Sequence, residues 1–62
     1  MDSLCVERKD GTGHYVISAF VVDEYDCEFL HSLQFWGYDA DDIDVMKESY
    51  MLFLEDNKLV LS

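Results

Sequence analysis

The sequence predicts a small α+β fold, in which an antiparallel sheet packs against one main helix. Three observations lead to this prediction. Residues 14–22 are rich in β-branched and aromatic side chains, residues 24–36 carry an apolar stripe at helical spacing, and two short apolar runs flank the polar stretch EDNK near the C-terminus. A chain of 62 residues predicts a single domain, 1–62. Half of the residues are hydrophobic, which excludes a disordered acidic tail.

The first two strands are predicted to form an N-terminal hairpin. Residues 3–8, SLCVER, predict a short strand, and Asp10-Gly11 in the following KDGTG indicates a tight turn. HYVISAFVV, residues 14–22, predicts the central strand. Both faces of this strand are nearly apolar, so we expect both to be at least partly covered.

Residues 24–36 predict the main helix. Asp23 is placed as its N-cap, and Gly37 stands where a C-cap glycine belongs. One stripe, spaced by four, four and three residues, contains Tyr25, Phe29, Leu33 and Trp36.

Residues 39–48 allow two interpretations. Asp39 could cap a second, short helix, whereas DIDV alternates like a strand. Because Asp is depleted in strands, the short helix is favoured.

The C-terminal runs YMLFL and LVLS, joined by an Asp56-Asn57 turn, predict a second hairpin. The helix and strands should then share one core in a monomer. Its expected members are Ile17, Phe20, Phe29, Leu33, Trp36, Leu52 and Leu54.

The charge is strongly negative and concentrated. The net charge is −10, and residues 21–48 hold nine of the 14 acids but only one base, Lys47. Such a field repels nucleic acid and anionic membranes and attracts basic protein surfaces, so neither direct nucleic-acid binding nor membrane binding is expected. No export signal is evident at the N-terminus, which favours the cytoplasm and reduced thiols at Cys5 and Cys27.

Metal binding is the first chemical alternative. Four residues would share one face of the predicted helix: Asp23, Cys27, His31 and Gln34. Cys and His four residues apart on a helix can reach one ion. A structural zinc usually needs four Cys or His ligands. Cys5 and His14 could in principle complete the set, but nothing in the sequence fixes their geometry. We therefore favour a small filler at Cys27, a solvated His31 and no metal.

Calcium binding and catalysis are two further alternatives. DADDID lacks the glycine and glutamate that a calcium loop requires at its sixth and twelfth positions. No motif joins a nucleophile to a base. We expect neither a cofactor nor enzymatic activity.

The acids themselves are the strongest signal. A solvated face that keeps the protein soluble is the simplest explanation, but solubility needs only a charge of about 2–8 with mixed signs. On the predicted helix, Glu24 and Glu28 would lie about 6 Å apart along the axis and lead into the Asp-rich run, imitating a row of phosphates. Phe35 would lie on the same outward side as an apolar anchor. The expected partner-binding residues are Glu24, Glu28, Phe35, Asp39, Asp41, Asp42 and Asp44.

In size, acidity and aromatic content the chain resembles the small acidic inhibitors made by bacteriophages, namely anti-CRISPR proteins, anti-restriction proteins and protein inhibitors of uracil-DNA glycosylase. Many of these act as DNA mimics. The resemblance implies a non-enzymatic viral protein that occupies the nucleic-acid-binding surface of a host protein in the host cytoplasm, with an anti-CRISPR role favoured. The alternative is a small adaptor that pairs through a sheet edge or an apolar patch, with acids that serve only solubility.

Overall fold

The computed structural model describes residues 4–62 and shows an antiparallel sheet with one α-helix, which confirms the predicted α+β class. The molecule is elongated, with extents of 38 × 18 × 17 Å. In chain order the elements are β1 Cys5–Arg8, β2 Tyr15–Val22, β3 Glu28–Phe35, a 3-10 turn Ala40–Asp42, α1 Ile43–Asp56 and β4 Val60–Leu61.

Strand β2 is the centre of the sheet. β3 pairs with it over all eight residues along one edge. β1 pairs with residues 15–18 of β2, and β4 pairs with Val21 and Val22. β1 and β4 therefore lie one after the other along the second edge of β2, and the outer edge of β3 has no strand beside it among residues 4–62.

The predicted N-terminal hairpin is confirmed, although Ser3 lies outside the described residues. In its turn, Asp10 Oδ1 accepts hydrogen bonds from the Thr12 hydroxyl at 2.6 Å and from the Thr12 N–H at 2.9 Å. Gly13 has φ +81°, and a Cβ there would lie 2.4 Å from the Tyr38 carbonyl oxygen. Only glycine lets the chain after β3 cross this close.

The predicted helix over residues 24–36 is wrong, because β3 occupies most of that range. A spacing of four places residues on one face of a strand as well as of a helix, so the apolar stripe does not distinguish the two. The Asp23 carboxylate does accept backbone N–H groups, but in the β2–β3 turn instead of a helix cap. Gly37 has φ +79° in the loop that follows the strand.

The predicted C-terminal hairpin is also wrong, because residues 43–56 form one continuous helix. The short helix favoured for residues 39–48 is present in another form: Asp39 precedes the 3-10 turn Ala40–Asp42, and residues 43–48 begin α1. The helix ends in a Schellman motif: the Lys58 N–H donates to the Glu55 oxygen at 3.1 Å and the Leu59 N–H to the Leu54 oxygen at 2.8 Å. Lys58 has φ +58°, and the chain then turns back to pair β4 with β2.

The core lies between α1 and one face of the sheet. Its buried residues are Tyr15, Ile17, Ala19, Val21, Phe35, Met46, Tyr50 and Leu54. Of the expected core, Ile17 and Leu54 are buried and Leu33 packs against them half-buried.

The other four expected core residues are exposed, so that part of the prediction is wrong. Phe20 lies on the sheet face that carries no helix, and Leu52 lies on the outer side of α1. Trp36 follows β3 and stacks on His14, with ring centroids 3.4 Å apart. Phe29 lies on the sheet face that α1 covers, but near the margin of that face, where it is 38% exposed.

Candidate partner-binding surface

The fold places most of the acids at the two ends of the sheet. The hairpin cluster, in the β2–β3 turn and at the first residue of β3, consists of Asp23, Glu24, Asp26 and Glu28. The helix-start cluster, after β3 and at the beginning of α1, consists of Asp39, Asp41, Asp42 and Asp44. β3 separates them by about 23 Å at the usual rise per strand residue. The expected single row of charge is therefore wrong, since two separate clusters replace it.

The hairpin cluster stands on a turn that its own side chains fix. Asp23 Oδ1 accepts the N–H groups of Tyr25 and Cys27, both at 2.9 Å. Asp26 has φ +60° and donates its N–H to the backbone carbonyl oxygen of Asp23 at 3.1 Å. Asp23 is therefore mainly structural.

Three acids of the hairpin cluster remain directed outward. Glu24 and Asp26 are exposed, and Glu28 is exposed while its Oε2 accepts a hydrogen bond from Ser62 Oγ at 2.8 Å. A pre-formed turn presents these carboxylates to a partner with little ordering cost.

The helix-start cluster divides in the same way. The Asp39 N–H donates to Asp42 Oδ2 at 3.0 Å, and the Asp42 N–H donates to the Asp39 oxygen at 2.9 Å. These two residues satisfy the backbone where the helical segment begins. Asp41 and Asp44 are exposed in first turns, where the positive end of the helix dipole stabilises them by about 0.3–1 kcal/mol each.

Among residues 4–62, no Lys or Arg side chain forms an ion pair with either cluster. Within residues 4–62, Lys9 pairs with Glu7 at 2.9 Å, and His14 Nδ1 lies 3.9 Å from Asp10 Oδ2. Hydrogen bonds from Thr12, first from its hydroxyl, lower the pKa of Asp10. Within the described part of the chain, no ion pair therefore involves a carboxylate of either cluster.

Phe35 does not have the expected outward position. It is the last residue of β3, it is 8% exposed and its ring packs edge-on against Tyr38 at 5.6 Å. Because residues 28–35 form a strand, odd positions face α1, and Phe35 belongs to the core. It cannot be a partner anchor while the protein is folded.

Two other aromatic residues lie beside the clusters, and sequence reasoning missed both as surface features. Tyr25 is 77% exposed in the hairpin turn, and Trp36 is 62% exposed just after β3. A hairpin interpretation of residues 23–27 would have placed Tyr25 at the tip of a turn. Trp36 had been assigned to the core through the incorrect helix.

The sheet face opposite α1 is open and largely uncharged. It carries the even-numbered residues of β2 and β3, because paired residues of an antiparallel sheet share a face. Phe20, Leu30 and Val60 are 56%, 60% and 67% exposed there. Among the residues paired into this face, only Glu7 and Glu28 are acidic.

The residues considered as metal ligands lie in a turn and along β3 instead of on one helix face. Asp23 and Cys27 face each other across the β2–β3 turn. His31 follows Cys27 by four residues of extended chain, about 13 Å, so these two cannot share one ion as they could on a helix. Residues 4–62 contain no group of three or more His, Cys, Asp or Glu side chains placed to hold a metal. Cys5 and Cys27 are exposed free thiols.

His31 has a structural contact instead. Its Nδ1 lies 2.9 Å from the Tyr50 hydroxyl, which in turn donates to the His31 carbonyl oxygen at 2.9 Å. Phe53 stacks on the imidazole with centroids 5.4 Å apart. Burial raises the pKa of Tyr50. This group joins α1 to β3, which holds the edge strand in place.

No protein family, curated protein or solved structure matches the chain. Neither helical segment of residues 4–62 has both the length and the apolar content that a membrane span requires. The geometry of the two acidic clusters, β3 and the open face is therefore the basis for assigning a function.

Proposed function

We propose that this protein is an acidic inhibitor that binds the nucleic-acid-binding surface of another protein in place of DNA or RNA. The observation that carries the proposal is the pair of acidic clusters at the two ends of one sheet. Six of their eight acids are exposed, and within residues 4–62 no Lys or Arg pairs with them. Their carboxylates would contact the Lys and Arg residues that normally hold phosphates.

The spacing of the clusters suits two separate phosphate contacts. With one base pair per 3.4 Å of each DNA strand, a separation of about 23 Å corresponds to roughly seven base-pair steps. The central part of the open face would lie over the target between these contacts. Charge complementarity at two points fixes the orientation of the complex and speeds the encounter.

The target class follows from the resemblance to phage inhibitors. An RNA-guided defence complex, the target of an anti-CRISPR protein, is the first candidate, followed by restriction enzymes and uracil-DNA glycosylase. Each holds nucleic acid in a basic groove. Competition with labelled nucleic acid on a purified target tests the proposal directly.

The experiment compares two double variants of equal net charge. Glu24→Gln with Glu28→Gln removes two acids from the hairpin cluster, whereas Glu48→Gln with Glu55→Gln removes two exposed acids of α1 that lie outside both clusters. We expect the first variant to lose at least about tenfold in affinity for the target, mainly through slower association, and the control to lose much less. Raising salt from about 0.05 to 0.2 M should weaken the wild-type complex strongly, as it does for phosphate contacts.

Two results would reject this function. One is simultaneous binding of nucleic acid and this protein to the same target without mutual displacement. The other is an equal loss in both variants, which would show that total charge matters and the position of the clusters does not.

A second function, that of an adaptor, is favoured by the open sheet face. Phe20, Leu30 and Val60 form an exposed apolar surface of the kind that binds other proteins. An adaptor of this kind would bind with little salt dependence. Phe20→Ser with Leu30→Ser would then abolish binding, while the hairpin-cluster variant would bind normally.

A further inference from the structure

The outer edge of β3 is a pairing surface of backbone groups. In an antiparallel pair, alternate residues direct their N–H and C=O groups toward the neighbouring strand. The Asp23 N–H bonds to the Cys27 oxygen at 3.2 Å, and the register continues from there without interruption. Odd-numbered residues of β3 therefore bond to β2. The residues whose N–H and C=O point outward are Glu28, Leu30, Ser32 and Gln34.

This edge lacks the features that usually prevent pairing. The chain contains no proline, β3 contains no lysine, and the β2–β3 register has no bulge over eight pairs. Both flanking strands, β1 and β4, lie on the far side of β2. Exposed side chains border the edge on each face, Leu30 on the open face and Phe29 on the helix side.

The charges at the two ends of β3 determine what can pair with it. A second copy, added antiparallel, would place its helix-start cluster beside the hairpin cluster of the first, so that like charges meet at both ends. A strand with cations at both ends meets opposite charge at both. A basic segment is therefore favoured over self-pairing.

We propose that β3 binds an extended segment of a protein partner as an added strand, and that this segment has Lys or Arg at both ends and apolar residues between them. The inference rests on the proposed function, in which the partner is the basic target, and it specifies how part of that target is held. Backbone hydrogen bonds would supply affinity, and the two clusters would select the charged ends.

Two synthetic peptides test this. The first is Lys-Arg-Val-Thr-Val-Thr-Val-Lys-Arg. The second is the same peptide N-methylated at its fourth and fifth residues, whose N–H groups point to opposite edges of a strand, so that both edges are blocked and the charge is kept. We expect the first to bind at least about tenfold more tightly at 0.05 M salt. It should also slow amide exchange at Leu30, Ser32 and Gln34, and the methylated peptide should not.

A variant of the chain gives an independent comparison. Ser32→Pro removes one outward N–H and leaves the hydrogen bonds to β2 in place, because proline is tolerated on an edge. It should lose at least about tenfold in affinity for the first peptide, while Ser32→Ala should bind like the wild type. If the proline variant does not fold, the peptide pair alone decides.

Three outcomes would overturn the proposal. They are equal binding of the two peptides, no binding of the first peptide at 1 mM, and protection of the edge amides by a concentration-dependent dimer of the protein itself. If any of these occurs while the protein still displaces nucleic acid from its target in a salt-dependent way, strand addition is rejected and the proposed function stands.

Discussion

The two faces of the sheet have similar composition but opposite environments. On β2, Tyr15, Ile17, Ala19 and Val21 face α1 and are buried. The alternate residues include two valines and Phe20, yet Phe20 is more than half exposed and the valines are half-buried. Apolar composition therefore shows that a strand is central in its sheet, but the position of the helix decides which face becomes the core.

The largest expected difference between the faces lies in a pair of truncations on β2. Ile17→Ala should lower the free energy of unfolding by about 2–5 kcal/mol, because it leaves a cavity under α1. Phe20→Ala should cost less than about 1 kcal/mol, because its ring is already largely in water. Urea denaturation followed by circular dichroism measures both.

Equal costs at Ile17 and Phe20 would contradict this difference between the two faces. That result would mean that the second face is covered in solution. Repeating the titration over a hundredfold range of protein concentration would show whether another copy covers it.

The covered face also depends on one polar contact, between Tyr50 and His31. Tyr50→Phe should lower the free energy of unfolding by about 1–3 kcal/mol, because His31 Nδ1 loses its partner in a partly buried place. Denaturation of the variant at neutral pH measures this. A cost below about 0.3 kcal/mol would mean that water replaces the hydroxyl and that α1 is not held to β3 by this bond.

The same tyrosine gives a test in alkaline solution. Burial raises the pKa of Tyr50, so the unfolded state loses this proton at a lower pH than the folded state does. Its contribution to stability is complete below the ordinary tyrosine pKa of about 10 and is lost as pH rises through the folded value. The difference in stability between wild type and Tyr50→Phe should therefore shrink above about pH 10.

The sequence predicted the fold class, β1, β2 and the helical character of residues 39–48, because turn chemistry and β-branched composition act locally. It failed at β3, where Phe29 and Leu33, spaced by four, lie on one face of either a strand or a helix. It failed again at α1, whose stripe Ile43, Met46, Tyr50 and Leu54 was divided between two predicted elements. The Asp23 carboxylate can accept backbone N–H groups in a turn as well as at a helix N-terminus. The positive φ that glycine allows at position 37 occurs in loops as well as at helix C-termini.

The acids of the candidate site were predictable from the sequence, but their arrangement and the aromatic residues beside them were not. Charge counting identified Glu24, Glu28 and the Asp-rich run. Their separation into two ends depends on the strand assignment, which the local pattern left open. The incorrect helix also led to the prediction that Phe35 faces outward and that Trp36 is in the core, because side chains alternate between faces with a different period in a helix and in a strand.

Trp36 provides a test at the end of the sheet near the helix-start cluster. As a core residue it would cost about 3–5 kcal/mol on truncation. Stacked on His14 and largely exposed, it should cost about 0.5–1.5 kcal/mol as Trp36→Ala. The unfolding transition is followed by circular dichroism, because this variant lacks the chain's single tryptophan and so cannot be followed by tryptophan fluorescence. A loss of more than about 3 kcal/mol in the free energy of unfolding would mean that Trp36 is a core residue after all.

The smallest expected effect compares one acid from each cluster. Asp41 lies in the first turn of the 3-10 segment that leads into α1, the helix that makes the covered face. Asp41→Asn should therefore lower stability by about 0.3–1 kcal/mol at low salt, despite relieving like-charge repulsion. Glu24 has no such role, so Glu24→Gln should leave stability unchanged or raise it slightly. Parallel denaturation at 0.02 and 0.5 M salt checks the electrostatic origin, because screening should reduce both effects. If both substitutions stabilise the protein, repulsion outweighs the helix dipole, and Asp41, like Glu24, does not contribute to stability.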